Sequence, residues 1–398
     1  MRLHWIPFIV GIILTILLDI VITRKLWRTG KRVGRVLAVV QEVLSVAVFG
    51  LLIANLFSIP VGKAAFVEHW AYTGKLLLAF LILSIPKWIW GLFYGVGSIK
   101  GMRSDVATVL KAAGVALGTV VFITMLQGTL ITPKRYVVTE QVLEYKSLPA
   151  AFDGYTIVHI SDMHLGTYVN DTSFVSRCVN YINALHPDAV CFTGDLVSMT
   201  VEEAKPFKEI LARLHAHDGV YSILGNHDYA DYMPRLTDDE KKADVEELIA
   251  LQRSAGWIML DNSAAVIKRG NDSIAIVGTA NYGDFPFPVY GDYGKATQGL
   301  DGVFKVHMQH NPYMWRKALV GKEDAPLTLS GHTHAMQFVL HLFGLKWSPS
   351  SWRYPEWGGL YTQGEQHLYV NTGLGMVGPP MRVGVPPEIT MITLKVKK

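Results

Sequence analysis

The chain has 398 residues, which sets a prior of one to three domains, and half of it is apolar. A net charge of +4, with the positives clustered between apolar runs, is no nucleic-acid footprint, so no nucleic-acid partner is expected. With only two cysteines, Cys178 and Cys191, a disulfide framework is excluded and the compartment stays open.

The apolar residues crowd into the first third. Trp5 to Ile22 has membrane-spanning length. It reads poorly as a signal peptide, because Arg2 is the one upstream positive, no small-x-small cleavage site follows and further apolar runs come after it. Val36 to Ile59 is a second run, ended by Pro60. Trp70 to Gly97 holds a third, interrupted at Pro86-Lys87, and Val106 to Ile131 a fourth. About four spans are therefore expected over residues 1–131, in a multi-pass integral protein of a cell or inner membrane whose first partner is the lipid bilayer. The loop with Arg24, Lys25, Arg28, Lys31, Arg32 and Arg35 contains no acid, which places it in the cytoplasm. Four spans then carry the remainder to the extracytoplasmic side. Gly114 and Gly118 are spaced for helix packing. Asp19 and Glu42, both inside apolar runs, are read as structural.

From Thr132 the texture changes to short strands alternating with amphipathic helices, which predicts an α/β domain over residues 132–398. Strands are expected at Tyr155–Ile160, Ala189–Phe192 and Tyr221–Leu224, with helices at Thr172–Leu185 and Ala204–His215 between them. Thr237 to Ala255 reads as a helix with a Thr237/Glu240 capping box and a Gly256 stop. Later strands are expected at Ser273–Val277, Phe304–Met308, Leu327–Leu329, Leu368–Val370 and Thr390–Leu394.

The strands end on residues that bind metal. The first ends on Asp162 and His164, the second on Gly194-Asp195, and the third on Gly225-Asn226-His227-Asp228. VHMQHNP then supplies His310, and TLSGHTHAM supplies His332 and His334. In open α/β sheets, loops at the carboxyl ends of strands converge on one crevice. Asp and Asn oxygens with imidazoles suit Mn, Fe, Zn or Mg. Seven ligands exceed one ion and fit two sharing a bridge. The lack of Cys ligands argues against a structural zinc site.

The ordered set D-x-H, GD, GNHD, lone His and GHTH resembles the calcineurin-like metallophosphoesterases over about residues 150–398. Within that family it is similar to the membrane-anchored branch, which holds UDP-2,3-diacylglucosamine hydrolase-like and transmembrane metallophosphoesterase proteins. The tail YVNTGLGMVGPPMRVGVPPEITMITL carries the same likeness. One departure stands out: the branch follows GHTH with Gly-Gly-Gln, and this chain has Ala335-Met336-Gln337. That bears on the substrate's fit, not on the ligands.

The resemblance implies a four-layer β-sandwich of mixed sheets flanked by helices, here preceded by a helical membrane bundle. It implies that Asp162, His164 and His334 hold one divalent ion, that Asn226, His310 and His332 hold the other, and that Asp195 bridges them. His227 would face the phosphate as a catalytic group, with Asp228 orienting it. The implied activity is that of a metal-dependent phosphoric ester hydrolase, acting through a metal-bridging hydroxide on a phosphate ester or pyrophosphate in a lipid-linked substrate. The competing readings are a phosphodiesterase of soluble nucleotides and a metal-binding membrane sensor or scaffold without turnover. Loss of ligands would favour the sensor, and none is lost. Substrate-binding residues are not named by the sequence.

Other polar residues read more plainly. His215, His217 and Asp218 suit a helix end or loop, and His159 and His307 suit packing within the sheet. Arg382 would meet either a phosphate or Glu388. The stretch 343–361, with Trp347, Trp352, Tyr354, Trp357 and Tyr361, suits a membrane interface, a lip over an acyl-bearing substrate, or a packed loop.

Overall fold

A computed structural model describes residues 5–284, 288–322 and 324–398. The chain divides into two compact units, one built on long helices and the other chiefly on residues 132–377 and 382–398.

The first unit has four helices: α1 (Trp5–Arg28), α2 (Arg32–Leu56), α3 (Lys63–Val96) and α4 (Ser104–Leu130). Among the described residues, three helical stretches are long and apolar enough to cross a membrane: Arg32–Leu56, Lys63–Val96 and Ser104–Lys134. Their outward faces are greasy. Val36, Val39, Val43 and Val46 of α2 are all exposed, the inverse of a water-soluble helix. The interruption expected at Pro86 is absent, because α3 runs through it. Proline removes one backbone bond, a loss that packed apolar helices tolerate. A Cβ at Gly114 would meet Phe93 Cβ at 2.6 Å, and one at Gly118 would meet the Pro86 carbonyl oxygen at 2.9 Å, so these glycines let α4 pack closely on α3. Several polar groups within the helices find partners. Lys87 donates to Asp19 (2.5 Å) and Ser45 (3.0 Å), and Thr23 to Glu42 (2.6 Å).

The second unit contains two six-stranded mixed sheets. In chain order its elements are β1 (Val137–Tyr145), β2 (Thr156–Ile160), α5 (Ser173–Ala184), β3 (Ala189–Phe192), α6 (Lys208–Leu211), β4 (Val220–Ser222), α7 (Asp238–Ser254), β5 (Ile258–Met259), β6 (Ser263–Arg269), β7 (Asp272–Gly278), α8 (Tyr293–Ala296), β8 (Phe304–Met308), β9 (Leu327–Ser330), β10 (Leu340–Leu342), β11 (Leu345–Trp347), β12 (Gly359–Gln363), β13 (Gln366–Val370) and β14 (Glu388–Val396). One sheet has the order β1-β14-β2-β3-β4-β5 and the other β12-β13-β9-β8-β7-β6. The alternation along β2 explains the layering. Val158 and Ile160 join a core with α5 and α7, while Ile157 joins Ile276, Val306 and Leu329 between the sheets. A third core, with Ala275, Val277, Trp315 and Leu368, covers the far face of the second sheet. The result is the expected mixed-sheet sandwich with flanking helices.

One local expectation fails, and one strand was not foreseen. Ala204–His215 is not one helix but short turns, Lys205–Phe207 and α6, after Val201–Glu203. Pro206 breaks the ladder there, and the Glu203 side chain is occupied by backbone N–H groups. Strand β1 was not among the expected strands: Glu140, Gln141 and Glu144 interrupt its apolar residues, yet it pairs along its whole length with β14.

Candidate metal centre

The parallel run β2-β3-β4 of one sheet and β8-β9 of the other deliver their carboxyl ends to the same place. Tight turns follow each strand. Asp162, His164, Asp195, His332 and His334 all have positive φ, between 41° and 73°. Non-glycine side chains rarely adopt this backbone, and such strain clusters at functional sites. Glycine is required beside it. A Cβ at Gly225 would lie 2.2 Å from Asp195 Oδ1, and one at Gly331 would lie 2.2 Å from Asp162 Oδ2.

Two donor groups result. In the first, Asp162, His164 and His334 are buried with their ligand atoms within 4.8 Å of one another. His164 Nε2 lies 3.0 Å from His334 Nε2, and His334 Nε2 lies 3.2 Å from Asp162 Oδ1. In the second, Asp195, His310 and His332 meet the same limit. Asn226 joins them, its Oδ1 lying 2.7 Å from His332 Nδ1 and 3.1 Å from His310 Nε2. Asp195 stands between the groups, with Oδ2 3.1 Å from His310 Nε2 and 3.6 Å from His164 Nε2. Its other oxygen accepts the His227 N–H at 2.8 Å. Lone pairs of four imidazoles, two carboxylates and an amide oxygen thus point at two neighbouring spots, a donor set that fits divalent cations. All seven nominated ligands are brought together.

The calcineurin-like phosphoesterase family model matches residues 155–336, which include every one of these ligands. These residues form a calcineurin-like phosphoesterase domain. A zebrafish "transmembrane protein with metallophosphoesterase domain" is 33% identical over 268 residues, covering 65% of this chain and 57% of that protein, so the chain spans little more than half of that relative. An uncharacterised Bacillus subtilis metallophosphoesterase, YkuE, is 29% identical, covering 75% of this chain and 96% of its own length. A Chlamydia trachomatis protein named UDP-2,3-diacylglucosamine pyrophosphatase LpxG is 29% identical over 62% of this chain and 86% of its own. Together with the three apolar helices, these likenesses mark a membrane protein.

The phosphoesterase domain aims its imidazoles through their second nitrogens. His310 Nδ1 lies 2.8 Å from the Thr193 carbonyl, leaving Nε2 for a cation. His332 Nε2 lies 2.8 Å from the Tyr354 hydroxyl, leaving Nδ1 inward. His164 Nδ1 is 3.1 Å from Ser198 Oγ. Charge follows the same geometry. Burial alone would raise Asp162, but His334, His310 and His164 hold its carboxyl well below the usual range. Burial would lower His310, yet the Asp195 carboxylate beside it pushes it up to about 9. Burial, reinforced by the charge of His310, takes His332 down to about 3.

His227 stacks on Tyr232, with centroids 4.1 Å apart, and its Nδ1 lies 2.7 Å from the Ser198 carbonyl. Ser198, not Asp228, orients this ring. The Asp228 carboxylate instead accepts the backbone N–H groups of Asp195 (2.8 Å), Gly225 (2.9 Å) and Val197 (3.2 Å), tying together the turns that carry Asp195 and Asn226. Burial and the nearby Asp195 charge push it up to about 7. Buried Glu203 does similar work, accepting from Gly166, Ser198 and Met199 at 2.6–3.0 Å.

Sequence reasoning missed Ser198, Glu203 and the role of Tyr354. Arg382 does not pair with Glu388. Fully buried, it donates to the carbonyls of Thr372, Gly373 and Gly375 and lies 3.3 Å from His334 Nδ1, while Glu388 accepts from Thr372 and Tyr369. His159 and His307 are packed as expected, against Thr193 and Thr279. His217 and Asp218 lie before β4, at the end of the sheet opposite the ligands, where Arg269 takes Asp188 and Asp218.

Proposed function

We propose that the chain is a membrane-bound phosphoesterase that uses two divalent ions to hydrolyse a phosphate ester or pyrophosphate bond in a lipid-linked substrate. The observation that carries this reading is the placement of Asp195 Oδ2 between two complete donor groups. Asp162, His164 and His334 would hold one ion, and Asn226, His310 and His332 the other. When bound, the pair would supply an acidified water and neutralise phosphoryl charge. The chain's own groups do the rest. The His227 N–H fixes Asp195 through Oδ1, so Oδ2 stays aimed between the groups. With Nδ1 committed to Ser198, His227 has Nε2 left to exchange a proton with the leaving oxygen. Asp228 holds the two ligand turns in register rather than touching the substrate. The lipid-linked substrate is supported by the apolar helices and by likeness to the chlamydial pyrophosphatase. We place four crossings in the first unit, with the Arg24–Arg35 loop cytoplasmic, which puts the phosphoesterase domain outside the cytoplasm.

The test is metal analysis of the full chain in nanodiscs, followed by hydrolysis assays with lipid phosphomonoesters, lipid pyrophosphates and soluble nucleotides. The reading expects two ions per chain and chelator-sensitive turnover strongest on the lipid substrates. One ion per chain, or no turnover of any substrate by the loaded protein, would overturn it.

A further inference from the structure

The β10–β11 hairpin stands apart from both sheets. Leu340 pairs with Trp347 and Leu342 with Leu345, so these four side chains share one face. His341 and Lys346 take the other, where His341 reaches the Gly384 carbonyl at 2.9 Å. The apolar face is exposed. Phe343 at the tip is 95% exposed and Leu345 75%. Both turn residues, Phe343 and Gly344, have positive φ (49° and 81°), as a primed two-residue turn needs. Asn or Asp would fill the first position at lower backbone cost and would welcome water. Phenylalanine there is unfavourable for backbone and solvation alike, unless the tip leaves water.

We infer that this hairpin is a finger that inserts its apolar face into the lipid bilayer. The inference goes beyond hydrolysis and does not depend on it. Three observations select a bilayer as the occupant. No acidic residue occurs from 335 to 355, and Lys346 stands on the hairpin's other face, from which its long side chain complements anionic headgroups. Trp347 and exposed Trp352 stack edge-to-face at 5.5 Å next to the leucines, an aromatic composition suited to the headgroup boundary. Only residues 131–136 separate α4 from β1, a reach of roughly 20 Å fully extended, so the phosphoesterase domain cannot leave the vicinity of the membrane its own chain enters. Both feet of the finger stand beside the metal centre. Phe338 bridges to Val383, and Ser348 donates to the carbonyl of Ala335, the neighbour of His334.

The full chain carrying Phe343→Cys, labelled with an environment-sensitive fluorophore, tests this in nanodiscs. Cys178 and Cys191 are buried, so the label goes to position 343. Nitroxide-bearing lipids should remove most of the emission while aqueous iodide removes little, and adding Leu342→Glu should reverse the two. Leu345→Cys should report the same behaviour from a second position. Quenching by iodide alone from both positions would overturn the inference. So would protection that appears only when an acyl phosphate is added, which would make the finger a substrate lip. Self-quenching that tracks the number of chains per disc and ignores nitroxide would make it a contact between copies, and would also overturn it.

Discussion

Asp195 is the residue on which the centre turns. Because its Oδ2 faces donors of both groups, Asp195→Asn should weaken both ions together, read as metal content after dialysis against a weak chelator. Loss of one ion with full retention of the other would remove the bridge. His227 separates chemistry from binding. With Nδ1 on Ser198 and no metal role in the proposed mechanism, His227→Ala should lower turnover ~10²–10⁴-fold, the scale of general acid catalysis, and keep its metal content. Metal loss in that variant would make His227 a ligand. His310 sets the pH behaviour. In the metal-free protein the Asp195 carboxylate keeps the His310 imidazole protonated up to about 9, and a ligand must shed that proton. Affinity should therefore rise about tenfold per pH unit as pH climbs from neutrality towards about 9, then level off. Titration calorimetry in buffers of different ionisation enthalpy should count one proton released from this residue, and buffer-independent heats would contradict it.

At the scale of elements, two carboxylates brace the site without touching a ligand side chain. Glu203 gathers N–H groups from the turn after His164 and from Ser198 and Met199. Glutamine would leave one of these donors facing an NH₂ group, so Glu203→Gln should cost about 1–3 kcal/mol and lower the melting temperature by a few degrees in a thermal scan. An unchanged melting temperature would deny the brace. This is also where the sequence was least legible. The ligands could be read because metal chemistry admits few residue types and glycine marks each turn. A carboxylate on backbone amides has no partner residue type to look for, so Glu203 went unnamed and Asp228 passed as a guide for His227. Strand β1 escaped because its pairing with β14 is encoded roughly 250 residues away rather than in its own alternation.

At the scale of the whole molecule, the sheets were largely legible from apolar runs, down to both ends of β8, the start of β9 and the close of β13, while the proposed sides of the membrane rest on loop charge alone. α3 runs unbroken through Pro86, which favours a full crossing over a re-entrant loop, and the even number of crossings proposed above then requires that α1 cross as well. A reporter active only in the cytoplasm, fused after Lys398, should stay silent. Activity from that fusion would mean an odd number of crossings, or an inverted bundle, and would place cytosolic lipid precursors within reach.

Five of the seven ligands sit on left-handed backbone, where a side chain costs about 1 kcal/mol and glycine almost nothing. A library of this domain, selected for heat tolerance alone in the absence of metal, would therefore drift toward glycine at His164, His332 and His334, while Asp162 and Asp195 would be kept by the backbone N–H groups they accept. The most durable descendants would be those that had forgotten how to hold a cation.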